Sequence, residues 1–337
     1  MLGLPWDRAG GRCGDPPLGD AEIPATLEES VSTNPFLVGK GRPVVVGHRG
    51  VPLLHQENTL AGFRRAVELG LPAVELDVRL TADRKAVCVH DSTLQRLCGF
   101  DKPVVETTWD ELAKLRVRRD LAVGGGRTIH YQREEKIPLL ADVLSEVGGK
   151  LAINVELKLD FPKWWHLDVS AVVADVIARA GVDDRVIVTS FDPRKLRAVG
   201  RVRPNLAFGF CFDDRMLDFA SALLDRLPRF PHKLSDRRHF GANGRRLLNW
   251  LLDTNLAGWL LGTRVVGAEH TLVGAETVDR LHRQNVAIGT HTMFPIGATT
   301  KPEIASSRDE VERLCSLGVD WIESDDPERL QTLVHAA

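Results

Sequence analysis

The chain has no stretch of about 18 or more consecutive apolar residues, so nothing in it reads as a transmembrane helix. Its first residues (MLGLPWDRAGGRCGDPP) hold no continuous apolar segment of the kind a secretory signal needs. Cysteine is sparse. Cys13, Cys88, Cys98, Cys211 and Cys315 are odd in number and show no C-x-x-C or similar spacing, which argues against a disulfide scaffold and a thiolate metal site. Reduced thiols without a leader point to the cytoplasm. Neither sign of charge dominates: Lys+Arg 44 stand against Asp+Glu 46, net -2. No global basic excess therefore invites nucleic acid. No G-x-G-x-x-G follows an early strand, and Ser190 lies outside a G-x-S-x-G elbow, against a dinucleotide fold and a serine hydrolase.

What is present is an ordinary globular composition, 43% apolar and 27% charged over 337 residues, enough for a large core. Residues 1–41 read as an irregular lead-in rich in Gly, Pro and acids, packed over one end of the fold. From residue 42 onward, one domain is expected. Eight short apolar runs are bounded by turn residues: 44–47, 73–78, 151–157, 185–191, 206–212, 263–269, 286–291 and 319–324. Helical patterns lie between most of them. One is carried by Phe63, Ala66 and Val67 with a stop at Gly70. Others run over 168–180 before Gly181, over about 275–284, and from Pro327 with Asp326 as N-cap. Buried strands alternating with helices predict a (β/α)8 barrel, with a doubly wound open sheet as the alternative.

Two segments stand out as insertions, about 92–147 (with a helix over 109–116) and 213–262. The run AVCVHD (86–91) follows AVELDVR too closely for a parallel crossover, so the two should form a hairpin. A turn centred between Asp83 and Arg84 would set Asp77 opposite His90 and Arg79 opposite Cys88.

Function in such a barrel sits at the C-terminal ends of the strands. There the chain places His48 and Arg49, then Glu75 and Asp77, then His90 and Asp91, then Glu156 and Lys158. Glu75 with Asp77, and Glu156 with Lys158, are each spaced i, i+2 and so share one face of their strand. Three carboxylates without a cysteine suit a hard divalent cation, Mg²⁺ or Ca²⁺, with Mn²⁺ also compatible. A cation would let Glu75 and Asp77 both stay ionised. Arg49 and Lys158 suit a phosphate, and two imidazoles suit general acid and base. Together these residues read as metal-assisted phosphodiester cleavage.

GHRG (47–50), QENT (56–59), ELDV (75–78), VHD (89–91), VELK (155–158), SFDP (190–193) and the late SDDP (324–327), in this order, resemble the glycerophosphodiester phosphodiesterase family. The resemblance runs from about residue 43 to the end. It implies a distorted TIM barrel of the phosphatidylinositol-phospholipase-C-like phosphodiesterase type. It also implies hydrolysis of glycerophosphodiesters to glycerol 3-phosphate and an alcohol with a divalent cation. Carried over residue by residue, His48 and His90 become the acid–base pair, Glu75, Asp77 and Glu156 the metal ligands, and Arg49 and Lys158 the phosphate contacts. Glu57 and Asn58 match the motif that shapes the loop after the first strand. The nucleophile is either the substrate's own glycerol 2-hydroxyl, through a cyclic phosphate, or water. The chain departs from the family's W-T-x-N motif: His291 stands where Trp is expected. It would either bond a polar headgroup or fill the aromatic's place. The family's Thr-Asp before the last Pro reads Ser324-Asp325-Asp326-Pro327.

The segment 245–262 is amphipathic, with Leu248, Trp250, Leu251, Leu252, Leu256, Trp259 and Leu260 apart from Arg245, Asn249 and Asp253. It reads either as a helix covering the barrel wall or as a lid touching a membrane surface and admitting lipid-like substrates. Lysophospholipase D-like or sphingophospholipid activity is the corresponding alternative. The basic residues Arg229, His232, Lys233, Arg237, Arg238 and His239 would meet anionic lipid or simply solvent. Trp164 and Trp165 would wall a pocket or pack in the core. The glycines at 124–126 read as a loop tip, and His270 and His282 as structural.

Overall fold

The computed structural model describes residues 34–37, 41–124, 126–159, 167–213, 248–297 and 307–337. Expectations for Cys13, Trp164, Trp165, Arg245, most of the lead-in and the basic run 229–239 fall outside these residues. In chain order the strands are β1 (Val44–Gly47), β2 (Ala73–Leu80), β3 (Ala86–Cys88), β4 (Thr93–Leu94), β5 (Phe100–Pro103), β6 (Asp120–Gly124) and β7 (Arg127–His130). They continue with β8 (Ala152–Leu157), β9 (Val186–Ser190), β10 (Ala207–Phe212), β11 (Val265–Glu269), β12 (Ala287–Met293) and β13 (Trp321–Ser324). β1, β2 and β8 through β13 are parallel neighbours in that order, and β1 pairs with both β2 and β13, which closes a (β/α)8 barrel. All eight expected runs are its staves.

The period of two in each stave divides its residues between two environments. Val74, Leu76 and Val78 of β2, with Ile153, Val155 and Leu157 of β8, join the apolar layer shared with the helices. Ala73, Ala152, Ile187, Ala207, Val265, Ala287 and Trp321 pack together inside the N-terminal end. Phe36, fully buried, meets Trp321 edge-on at 5.6 Å, and the Asn34 side chain donates to the Val186 carbonyl at 3.0 Å. Residues 34–37 thus plug the barrel floor. Trp321 fits because its neighbour on β12 is Gly289, where a Cβ would lie 1.7 Å from the indole.

The intervening helices start and stop as their caps dictate. Thr59, Asp192, Ser307 and Asp326 cap the helices Leu60–Glu68, Pro193–Val202, Arg308–Leu317 and Pro327–Ala336 with side-chain oxygens. Gly181 and Gly318 take left-handed conformations just past Asp168–Ala180 and Arg308–Leu317.

β3 pairs antiparallel with β2 as expected, but one residue out of the expected register. Arg79 faces Val87, Val78 faces Cys88, and Val89 N–H donates to the Asp77 carbonyl at 2.9 Å. The turn centres on Asp83 because it has three residues, with Arg84 left-handed (φ 62) and the Thr81 hydroxyl accepting from Lys85 N–H. His90 therefore lies beyond the ladder.

The segment after β3 forms two hairpins, β4–β5 and β6–β7, which the sequence did not announce. The glycines at 124 and 126 form the tip of the second. The helix expected over 109–116 is a single turn, Trp109–Leu112, with a capping box between Thr108 and Glu111. Val87, Val89, Leu94, Leu97, Leu112, Val117 and Leu121 give this piece its own core. Before β11 the amphipathic segment is two helices, 248–254 and Leu256–Leu261, broken at left-handed Asn255. Leu248 and Leu252 are buried against the barrel wall, and Asp253 accepts from Thr277. Trp250, Leu256, Trp259 and Leu260 face outward. The four described cysteines are unbonded, and no described helix is long and apolar enough to cross a membrane.

Replacing Phe36 by Ala opens the floor. We expect a loss of about 3–5 kcal/mol, read as a lower urea midpoint at unchanged slope. An unchanged midpoint would show that the plug adds nothing.

Candidate active site

The site grows from four strand ends. After β1 the chain turns within Gly47–Gly50. A Cβ on Gly47 would sit 2.2 Å from the Gly50 carbonyl oxygen, so only glycine fits. Arg49 is held left-handed (φ 56), which is uncommon outside glycine. That turn aims the Arg49 N–H at Glu75 Oε2, 2.9 Å away. It sets the guanidinium on Asp77 Oδ2 (Nε, 3.1 Å) and Glu57 Oε1 (Nη1, 3.2 Å).

The next motif is spent residue by residue on this geometry. Gln56 donates to the carbonyls of Arg118 and Arg133, tying the loop to the inserted piece. Asn58 donates to Asp77 Oδ2 at 2.8 Å and accepts from Asp77 N–H at 3.1 Å. Thr59 caps the following helix.

β2 and β8 bring the acids together. Glu75 is level with Asn154 and Asp77 with Glu156 in the parallel register. One carboxylate oxygen from each of Glu75, Asp77 and Glu156 lies within 4.8 Å of the others, and Glu75 and Asp77 are buried. At that separation each pair of charges repels by about 3–4 kcal/mol at an effective dielectric of 20. Lys158 Nζ answers part of this, 2.7 Å from Glu156 Oε1 and 3.2 Å from Asp77 Oδ1, though neither oxygen is aligned for a hydrogen bond. Glu75 Oε1 is buried with no hydrogen-bond partner. Burial, then Asp77, Glu323 and Glu156, push Glu75 well above the usual carboxylate range. Burial also acts on Asp77, but Lys158, Arg49 and the two histidines outweigh it and hold the carboxyl well below its ordinary value. Oxygen donors, orphaned buried atoms and unbalanced negative charge are what a hard divalent cation requires, so the residues fit one.

His48 and His90 each have a carboxylate on Nδ1. His48 meets Asp325 Oδ1 at 2.5 Å, and its Nε2 is 3.9 Å from Glu75 Oε2. His90 meets Asp91 Oδ1 at 2.9 Å. The charges of both histidines add to the lowering of Asp77. Burial lowers His90 below the ordinary imidazole value, with Arg49 and Lys158 adding to the shift. His291 is level with Glu269 on β11 and lies edge-on to Phe191 at 6.2 Å. Its Nε2 has no hydrogen-bond partner, and burial pushes it down to about 4.

All eight residues expected from the sequence stand at the C-terminal mouth. Sequence reasoning passed over Asp325, although it sits in the SDDP motif and follows Glu323 by the strand period of two. It also missed Glu323, which accepts from Asn154 at 2.8 Å and which burial pushes up to about 7. Arg96 was invisible because only the folded insertion brings it to the loops. His270, read as structural, is buried with Nδ1 held by Glu310 at 2.8 Å.

The sequence profile described as "Glycerophosphoryl diester phosphodiesterase family" matches residues 48–329. A glycerophosphodiester phosphodiesterase of Caldanaerobacter subterraneus subsp. tengcongensis is 33% identical over 172 residues, 51% of this chain and 67% of that protein. Human lysophospholipase D is 30% identical over 116 residues, 34% of this chain and 36% of that protein. An Oleispira antarctica phosphodiesterase, solved in complex with the product sn-glycerol-3-phosphate, superposes with a TM-score of 0.61 at 20% identity, covering 87% of this chain and 97% of its own. The matched profile spans most of the chain and includes every residue of the mouth: the chain belongs to the glycerophosphoryl diester phosphodiesterase family, a family of phosphoric diester hydrolases.

Proposed function

We propose that the protein hydrolyses glycerophosphodiesters to glycerol 3-phosphate and an alcohol. The observation that carries this is the convergence of Glu75, Asp77 and Glu156 within 4.8 Å, with Arg49 and Lys158 ion-paired to them and His48 3.9 Å from Glu75. In this reading the three acids hold a divalent cation, which when bound withdraws charge from a phosphate oxygen. Arg49 and Lys158 orient the phosphate. His90, which burial pushes below the ordinary imidazole value, takes the proton of the nucleophile, either water or the glycerol 2-hydroxyl; in the second route water then opens the cyclic phosphate to glycerol 3-phosphate. His48 gives a proton to the departing alkoxide as the P–O bond breaks, and Asp325 steadies its ring through Nδ1. His291 faces the alcohol with its unpartnered Nε2.

A second reading takes lipid-bearing substrates, lysophospholipids or sphingophospholipids. It is favoured by exposed Leu53 and Leu54 after β1 and Leu159 after β8, which make part of the mouth's rim apolar. Outward Trp250, Leu256, Trp259 and Leu260 would then contact a membrane surface.

Mass spectrometry of products separates the readings. Glycerol 3-phosphate from glycerophosphocholine supports the first, and choline released from lysophosphatidylcholine alone supports the second. His48→Ala should lower kcat by about 10²–10⁴-fold. Unchanged turnover in that variant, or none in the parent with Mg²⁺, Ca²⁺ and Mn²⁺ each supplied, removes the enzyme reading.

Asp325 gives a pH signature. Its folded-state value lies below the unfolded one because His48 and the Ile296 N–H hold its ionised form against the effect of burial. Its contribution is present above the unfolded value and lost as pH falls through the folded one. Asp325→Asn should cost about 2 kcal/mol at neutral pH, with the gap to the parent closing in acid. A gap independent of pH would contradict the pairing.

A further inference from the structure

Arg96 lies outside the motifs, yet it sits between both sides of the reaction centre. Its Nη1 and Nη2 donate to Glu57 Oε2 and Oε1 at 2.8 and 2.7 Å. Its Nε and Nη2 donate to Asp91 Oδ2 and Oδ1 at 2.7 and 3.2 Å. One planar guanidinium thus grips two carboxylates through two forks, a geometry no lysine reproduces. Glu57 Oε1 also accepts from Arg49, which reaches Asp77, and Asp91 Oδ1 holds His90 Nδ1. Hydrogen bonds therefore run from His90 through Asp91, Arg96 and Glu57 to Arg49, whose guanidinium in turn ion-pairs with Asp77.

The mounting is rigid as well. Arg96 projects from the single turn Gln95–Cys98, between buried Leu94 and Leu97. Those leucines pack in the same cluster as Val87 and Val89 of the chain that delivers His90. Left-handed Gly99 ends the turn directly over the Arg118 guanidinium, where a Cβ would clash. The Arg96 side chain is 29% exposed, so solvent does not replace the two forks at once.

We propose that Arg96 is a positioning residue that sets His90 and Arg49 relative to each other, making the inserted segment a working part of the site. It acts through Asp91 on the imidazole and through Glu57 on the phosphate-side guanidinium. Loss of the clamp frees both carboxylates at once. Small displacements of reacting groups cost about 10²-fold in rate, so the effect belongs in kcat.

The inference rests on the reading of His90 and Arg49 as reacting groups. Its test combines kinetics of the full chain with titration of the His90 ring by NMR, in the parent, Arg96→Ala and Arg96→Lys. Expected for Arg96→Ala are a kcat on glycerophosphocholine lower by about 10–100-fold, KM within about threefold, and partial recovery with added guanidinium. The His90 titration should move upward, since a cation leaves and Asp91 is freed. Arg96→Lys should shift the same way by less, and carries the test if Arg96→Ala does not fold. A kcat within about twofold of the parent, or an unmoved His90 titration, overturns the inference. Absence of turnover in the parent would instead fell the proposed activity, and the His90 titration would still decide the role of Arg96.

Discussion

Three carboxylates crowded into one barrel mouth repel one another, and everything around them is arranged against that repulsion. With each pair at about 3–4 kcal/mol, the summed penalty approaches the whole stability of an ordinary domain. Lys158 and Arg49 supply two charges from the strand ends on either side of β2. Asn58 donates to Asp77, and the Arg49 amide donates to Glu75. Even so, Glu75 is driven upward and Glu323 titrates near neutrality. The site is therefore an electrostatic receptor, short of positive charge and lined with oxygen donors.

The fold makes this tolerable by alternation. Odd-numbered residues of β2 supply the acids, while the even-numbered ones supply Val74, Leu76 and Val78 to the outer apolar layer. A barrel interior filled only with aliphatic side chains would be more stable. Here the aliphatic packing is confined to the floor, sealed by Phe36 and Trp321. The upper layers are given to polar groups such as Asn154, Thr189 and Glu323, which satisfy one another by hydrogen bonds.

What could be read in the sequence follows from the same logic. The staves were legible because burial on both faces leaves continuous β-branched runs. Glu75 with Asp77 and Glu156 with Lys158 were legible because a spacing of two is a shared face. The hairpin register was misjudged by one residue, because a three-residue turn with Arg84 left-handed is not encoded by a glycine. Arg96 escaped because its partners Glu57 and Asp91 come from two different loops, and Asp325 because its role depends on β13 closing beside β1. The amphipathic segment was legible in part, since Leu248 and Leu252 do cover the barrel wall. Its polar Asp253 bonds inward to Thr277 while two tryptophans face out. Periodicity reports a stripe but not which side is covered.

The central claim is that Glu75, Asp77 and Glu156 act as one cation site. Calorimetric titration of the full chain with Mg²⁺, Ca²⁺ and Mn²⁺ tests it most directly, alongside Asp77→Asn and Glu156→Gln. The account predicts one site per chain for at least one of these ions, abolished or weakened at least tenfold (about 1.4 kcal/mol) in both variants. Equal binding by parent and variants, or no binding of any of the three ions by the parent, would contradict it.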